Sequence, residues 1–146
     1  MTTIRAQVRA FHDAMGVPSP AAPTVPDAAT VRLRARLIAE EFCETMAALY
    51  PRSNWDAIRV LLMGQFEGEP SPDMIGLADG LADLDYVVEG TRQAFGIDGA
   101  PIAAEVHRSN MAKPGGAKDA NGKIRKPAGW LPPDVAGELR AQGWRP

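Results

Sequence analysis

A chain of 146 residues, 45% hydrophobic and 23% charged with a net charge of −2, has the proportions of one ordinary globular domain with a real core. The charge balance argues against a nucleic-acid binder, which would be basic overall with a broad positive stripe, and no apolar run approaches the ~18 residues of a membrane span. A single cysteine, Cys43, excludes a disulfide within the chain and suggests a reducing compartment; with no signal-peptide pattern at the N-terminus, the sequence reads as cytoplasmic.

In chain order, residues 3–15 are predicted as a first helix with Ile4, Val8, Phe11 and Met15 on one side, ended by Gly16 and Pro18. Residues 17–26 hold four prolines and form an extended connector. Asp27 caps a long helix that Pro51 stops near Tyr50. Residues 54–66 read as a short helix with Trp55, Ile58, Leu62 and Phe66 spaced by three and four. Ser71-Pro72 is predicted to open a helix that runs to Phe95, with Gly96 just past its end. Its core stripe is Met74, Leu77, Leu81, Leu84 and Val88. Residues 100–111 form another helix, Gly115-Gly116 and Asn121-Gly122 mark loops or a small hairpin, and Pro132-Pro133-Asp134 starts a last short helix to about Gln142. The fold class is all-α: a bundle of four to five helices over residues 1–112 with an irregular basic C-terminal arm over 113–146, together one domain.

The candidate chemistry lies in two acidic clusters on predicted helices. Glu41 and Glu44 share a face at i, i+3, Glu40 and Glu44 at i, i+4, and Asp79 and Asp83 at i, i+4. Glu-rich helical stretches are commonly just solvated faces. At ~100° per residue, however, the three glutamates continue the arc of Leu33, Leu37 and Ala48, while Val31, Ile38, Phe42 and Leu49 make a second apolar arc roughly opposite. Asp79 and Asp83 are bordered by glycine, alanine and apolar residues where a solvated face would carry Lys, Glu or Gln. Carboxylates in such surroundings need a compensating cation, and Mg²⁺ or Mn²⁺, with hard oxygen ligands, suits them.

Charge is also segregated. Glu40 to Asp98 holds twelve acids and three bases, whereas Arg108 to Lys126 holds six bases and one acid. Such polarity suits a ligand carrying both metal ions and phosphates. Arg108 can bind phosphate bidentately, Lys113 and Lys126 can act as point charges, and Asn110 can contact base or phosphate. Lys118, Lys123 and Arg125 fit a solvated loop equally well. His12 and His107 read as structural hydrogen-bonders, Trp130 and Trp144 as interface or arm packing, and Trp55 as core.

Glu40-Glu41-x-x-Glu44 followed by an aspartate-ended helix resembles the all-α NTP pyrophosphatases, the MazG-like and phosphoribosyl-ATP pyrophosphohydrolase-like superfamily. Phe11-His12 with Gly16, Leu81-Ala82-Asp83-Leu84-x-Tyr86-Val87, Phe95-Gly96-Ile97-Asp98, Glu105-Val106-His107-Arg108-Ser109-Asn110-Met111-x-Lys113 and Lys126-Pro127-x-Gly129-Trp130-x-Pro132 resemble a bacterial and phage branch of it. The resemblance implies that Glu41, Glu44 and Asp83 are metal ligands and that Glu40 orients or deprotonates the attacking water. It implies two or three Mg²⁺ per site, with Mn²⁺ as a substitute, and cleavage of a nucleoside triphosphate between its α- and β-phosphates. It also implies dimers or tetramers with sites built partly across the interface. The family's Glu-x-x-Asp pattern has Gly80 at its glutamate position, and Asp79, one residue earlier, is the candidate replacement ligand. Among related enzymes, substrates include dGTP or GTP and, in house-cleaning members, dUTP; the reading here leans to (d)GTP. A non-hydrolytic nucleotide-binding homologue is the alternative from another class. A carboxylate-bridged di-iron bundle is excluded, because neither His12 nor His107 follows a glutamate by three.

Overall fold

The computed structural model describes residues 3–113, 118–120 and 122–145. Among them are six helices: α1 (Ile4–Met15), α2 (Ala28–Leu49), α3 (Trp55–Gly64), α4 (Met74–Phe95), α5 (Gly99–Met111) and α6 (Val135–Ala141). Among the described residues the fold is all-α; its nearest approach to a strand is the antiparallel bridge between Lys118 and Ile124. Among the described residues no helix is long and apolar enough to cross a membrane. Asn121, Gly115 and Gly116, read from the sequence as loop positions, lie outside the described residues.

Local chemistry sets the helix ends. The Asp27 carboxylate accepts from Thr30 N at 2.7 Å and starts α2. Gly16 and Gly96 close α1 and α4 in the left-handed region, at φ 64° and 66°. The start of α4 departs from expectation: Asp73, not Ser71, is its cap, accepting from Ile75 N at 3.0 Å. An aspartate nearer the helix outcompetes the Ser-Pro pair, whose proline then sits in the approach.

Three helix pairs carry the packing: α2 on α3, α1 on α5 and α5 on α6. Phe42 and Trp55 meet edge to face at 6.2 Å across the first. Gln142 after α6 clasps Asp98 before α5, donating to Asp98 O at 3.0 Å and accepting from Asp98 N at 2.9 Å. The return of the arm is pinned on α5. Ser109, fully buried, donates from Oγ to Leu131 O at 3.0 Å, and Trp130 Nε1 donates to Ser109 O at 2.8 Å.

The predicted core stripe of α4 is not a core. Every residue from Ile75 to Thr91 is exposed, with Leu77, Leu81, Leu84 and Val88 between 44% and 46% accessible. An apolar groove of ≈ 740 Å³ separates Met74, Leu77 and Leu84 of α4 from Ile38 and Phe42 of α2. The chain exposes 10688 Å² in all. A folded monomer of this mass exposes roughly 7,300 Å². The difference, about 3,400 Å², measures how much surface a single copy fails to bury.

Trp130→Phe keeps an aromatic ring but deletes the Nε1 donor that holds Ser109 O. It is expected to lower the unfolding free energy by about 1 kcal/mol, read from urea denaturation, and to speed limited proteolysis within the arm.

Candidate active site

One face of α2, marked by Ala29, Leu33, Arg36 and Glu40, runs beneath the C-terminal arm. Ala39 and Cys43 point inward and are buried at 8% and 3%, so Glu40 and Glu44, each one residue further on, flank the buried edge. Cys43 is free and packed, in keeping with the lack of basic residues around it in the sequence.

The arm arrives as a tight turn. Asp119 N donates to Lys123 O at 2.9 Å, Lys123 N to the Asp119 carboxylate at 2.9 Å, and Gly122 N to Asp119 O at 3.0 Å. Gly122 adopts φ 83° with Leu33 of α2 directly below, 3.6 Å from where a Cβ would stand. This turn delivers the Lys123 ammonium to Glu40 Oε2 at 2.5 Å, across 83 residues of sequence.

Two further lysines converge on the same place. Lys126 Nζ lies 4.3 Å and Lys113 Nζ 5.5 Å from the centre of the Trp130 ring. Lys113 also donates to Asn110 Oδ1 at 2.7 Å. Burial, then the neighbouring Lys126 and Lys123, push the Lys113 ammonium below its ordinary pKa, against the pull of Glu41. Glu41 shifts the other way: partial burial of its carboxyl first, then Glu44, with Glu40 adding to it, raise its pKa, while Lys123 and Lys113 oppose the rise. Each cluster therefore carries more of its own charge than its surroundings solvate comfortably.

The other candidates lie elsewhere. Arg108 does not join the lysines; it forks onto Glu105 at 2.6 and 2.7 Å. Glu105 is held at about 2, by Arg108 first and then by the Asp134 N–H. That pair braces α5 against the start of α6. Asp79 and Asp83 stand on the exposed α4, and among the described residues no three His, Cys, Asp or Glu side chains group closely enough to hold a metal ion. The α2 glutamates offer the hard oxygen donors that Mg²⁺ or Mn²⁺ takes, and their mutual repulsion is what such an ion relieves. That half of the ligand set fits a divalent cation; the α4 half is not brought to it within one copy.

Sequence reasoning accommodates Lys123 equally well on a solvated loop, and the structure corrects that by pairing it with Glu40. The Asp119 to Gly122 turn is visible as a hairpin signal, but which helix it meets is a tertiary fact with no local trace.

A family model described as phosphoribosyl-ATP pyrophosphohydrolase matches residues 8–110, spanning α1 to nearly the end of α5. No curated protein matches the chain.

A carboxyl whose pKa rises on folding binds more protons in the native than in the unfolded chain, so stability falls as pH rises through that window, and the cost persists at neutral pH. For Glu41 the window opens at the unfolded value near 4.5 and extends upward. Glu41→Gln is therefore expected to be more stable than the parent chain at pH 7, with the difference fading below that unfolded value. Denaturant titrations across the range check it.

Proposed function

The chain belongs to the phosphoribosyl-ATP pyrophosphohydrolase family, and from that membership we propose that it hydrolyses a nucleoside triphosphate between the α- and β-phosphates, releasing a nucleoside monophosphate and pyrophosphate. The observation that carries this reading is the convergence of Lys113, Lys123 and Lys126 beside Glu40 and Glu41. Clustered ammoniums beside clustered carboxylates suit a polyphosphate that travels with divalent cations.

Glu41, Glu44 and Asp83 would hold Mg²⁺, with Mn²⁺ able to substitute and Asp79 taking the place of the glutamate that Gly80 lacks. Bound there, the ions would neutralise phosphate charge and acidify the attacking water. Glu40 orients that water and takes its proton as oxygen adds to the α-phosphorus. The electron pair of the breaking bond leaves with pyrophosphate. Lys113 and Lys126 face that departing charge with donors that need no reorganisation. Asn110 fixes the Lys113 head. The guanine nucleotides GTP and dGTP are the favoured substrates.

We further propose that a second copy of the chain covers α4. The surplus of about 3,400 Å² per copy, about 6,800 Å² over a pair, exceeds the roughly 2,000–5,000 Å² total of obligate homodimer interfaces, so it leaves ample surface for one. Asp79 and Asp83 lie on the side of α4 away from that stripe, so a partner that covered the leucines would leave both carboxylates open to a metal site.

Three measurements test these statements. Hydrolysis should stop in EDTA, and Glu44→Gln and Asp83→Asn should each lower kcat by roughly a hundredfold or more; full activity in EDTA would exclude the mechanism. Asp79→Asn should weaken Mn²⁺ binding and turnover about as much as Asp83→Asn. Sedimentation at micromolar concentration should give at least a dimer, and Leu81→Glu should lose assembly and activity together.

A further inference from the structure

A second cavity lies on the same face of α2, next to the carboxylates. It measures ≈ 1000 Å³ and sits between the end of α1, the proline-rich connector and the N-terminal half of α2, with Lys118, Asp119, Ala120 and Gly122 over it. Val17, Pro18, Pro20, Pro26 and Leu33 give it apolar walls. Its volume is on the scale of small-molecule pockets, about 300–1,000 Å³. Arg36 lines it one helical turn before Glu40, and Gly122 lines it one residue before Lys123, so it opens toward the acidic site.

Its polar lining includes Asp27, Lys118 and Asp119 beside His12 and three arginines. Arg32 is held by Glu69 at 3.5 Å and Gly68 O at 3.3 Å, and Arg36 by Glu67 at 2.7 Å. Arg34 makes no ion pair among the described residues; its Nη2 lies 3.1 Å from His12 Nε2. Arginine only donates, so Nε2 is the acceptor of that bond. Burial, then the Arg34 charge, keep His12 below its usual pKa and therefore neutral at pH 7. Its one proton is then on Nδ1, which donates to Ser19 Oγ at 3.1 Å. The connector thus fixes the imidazole, and the imidazole fixes the guanidinium.

We infer that this cavity holds the nucleobase of the substrate and that Arg34, positioned by His12 and Ser19, reads it. The inference rests on the nucleotide-hydrolase reading above. Six residues separate Arg34 from Glu40, or ~9 Å along the helix, a span that a nucleoside bridges while its phosphates meet the lysines. With Arg32 and Arg36 already paired with Glu69 and Glu67, the apolar walls suit a flat heterocycle. The reading edge of Arg34 carries only donors, because His12 has spent its acceptor on Arg34 itself. It therefore selects a base edge with two neighbouring acceptors. Among purines that is guanine, through O6 and N7; adenine places its N6 amino donor where O6 would be.

The test pairs turnover with binding. kcat/KM is measured for GTP, ATP and 7-deaza-GTP, and calorimetry measures GMP and AMP affinities, which require no hydrolysis. The parent chain should prefer GTP and GMP. Arg34→Met should reduce the GTP-over-ATP ratio at least about tenfold, acting through KM. The loss of N7 in 7-deaza-GTP should hurt the parent chain and not Arg34→Met. Arg34→Lys, which keeps charge without the fork, should not restore selectivity. Equal losses for GTP and ATP, or GMP affinity unchanged by Arg34→Met, would overturn the assignment. If the parent chain binds GMP through Arg34 but hydrolyses no triphosphate, the cavity assignment stands and the catalytic reading fails. If it hydrolyses triphosphates with a selectivity indifferent to Arg34, the catalytic reading stands and the cavity assignment fails. Circular dichroism of each variant excludes misfolding as the cause.

Discussion

Glu41 shares one stretch of α2 with Glu40 and Glu44, and burial and both neighbours push its carboxyl above the ordinary pKa, a crowding that nearby cations oppose. Much of the molecule answers that constraint. A turn in the arm brings Lys123 to Glu40, and Lys113 leans toward Glu41 from the end of α5. Neither ammonium lifts the burden on Glu41, whose pKa remains raised despite both. The remaining deficit is what a divalent ion would fill, and the lysines, themselves crowded, are what a phosphate chain would relieve. The two clusters are each strained by their own charge and complementary to each other's ligands.

The same constraint explains why the apolar surfaces lie where they do. Helix α2 gives one side to α3 and another to the arm, and both contacts keep its acidic face accessible. Helix α4 carries the second pair of carboxylates and an apolar stripe with no cover in one copy. Its leucines and its aspartates lie on opposite sides, so covering the stripe would leave the carboxylates open.

The local grammar of the sequence is largely readable. Asp27 and Asp134 start helices, and Gly16 and Gly96 end them, where their side-chain and backbone chemistry says they should, and the spacing of Trp55, Ile58 and Leu62 marks α3. The glutamates of α2 are legible as a site because they interrupt an apolar arc. The partner of each face is not legible. Leu77, Leu81, Leu84 and Val88 have the spacing of a buried stripe, and spacing says nothing about which molecule does the burying. Arg108 carries the chemistry of a phosphate fork, yet Glu105, three residues earlier on the same helix, holds it. The surroundings of Lys123 and Arg34 are hidden for the complementary reason: their contacts lie 83 and 22 residues away.

The clamp between Ser109, Trp130 and Leu131 has a consequence for the order of events during synthesis. Glu40 and its neighbours leave the ribosome early, on a helix that forms from local contacts. The arm beyond the Lys123 turn is pinned to α5 only when Trp130 and Leu131 have emerged. Long-range contacts of this kind close late, after the cost of ordering the intervening chain has been met. The nascent polypeptide therefore passes through a stage in which its acidic helix is formed but its lysine counterweight is still missing. The lysine counterweight arrives in one late step.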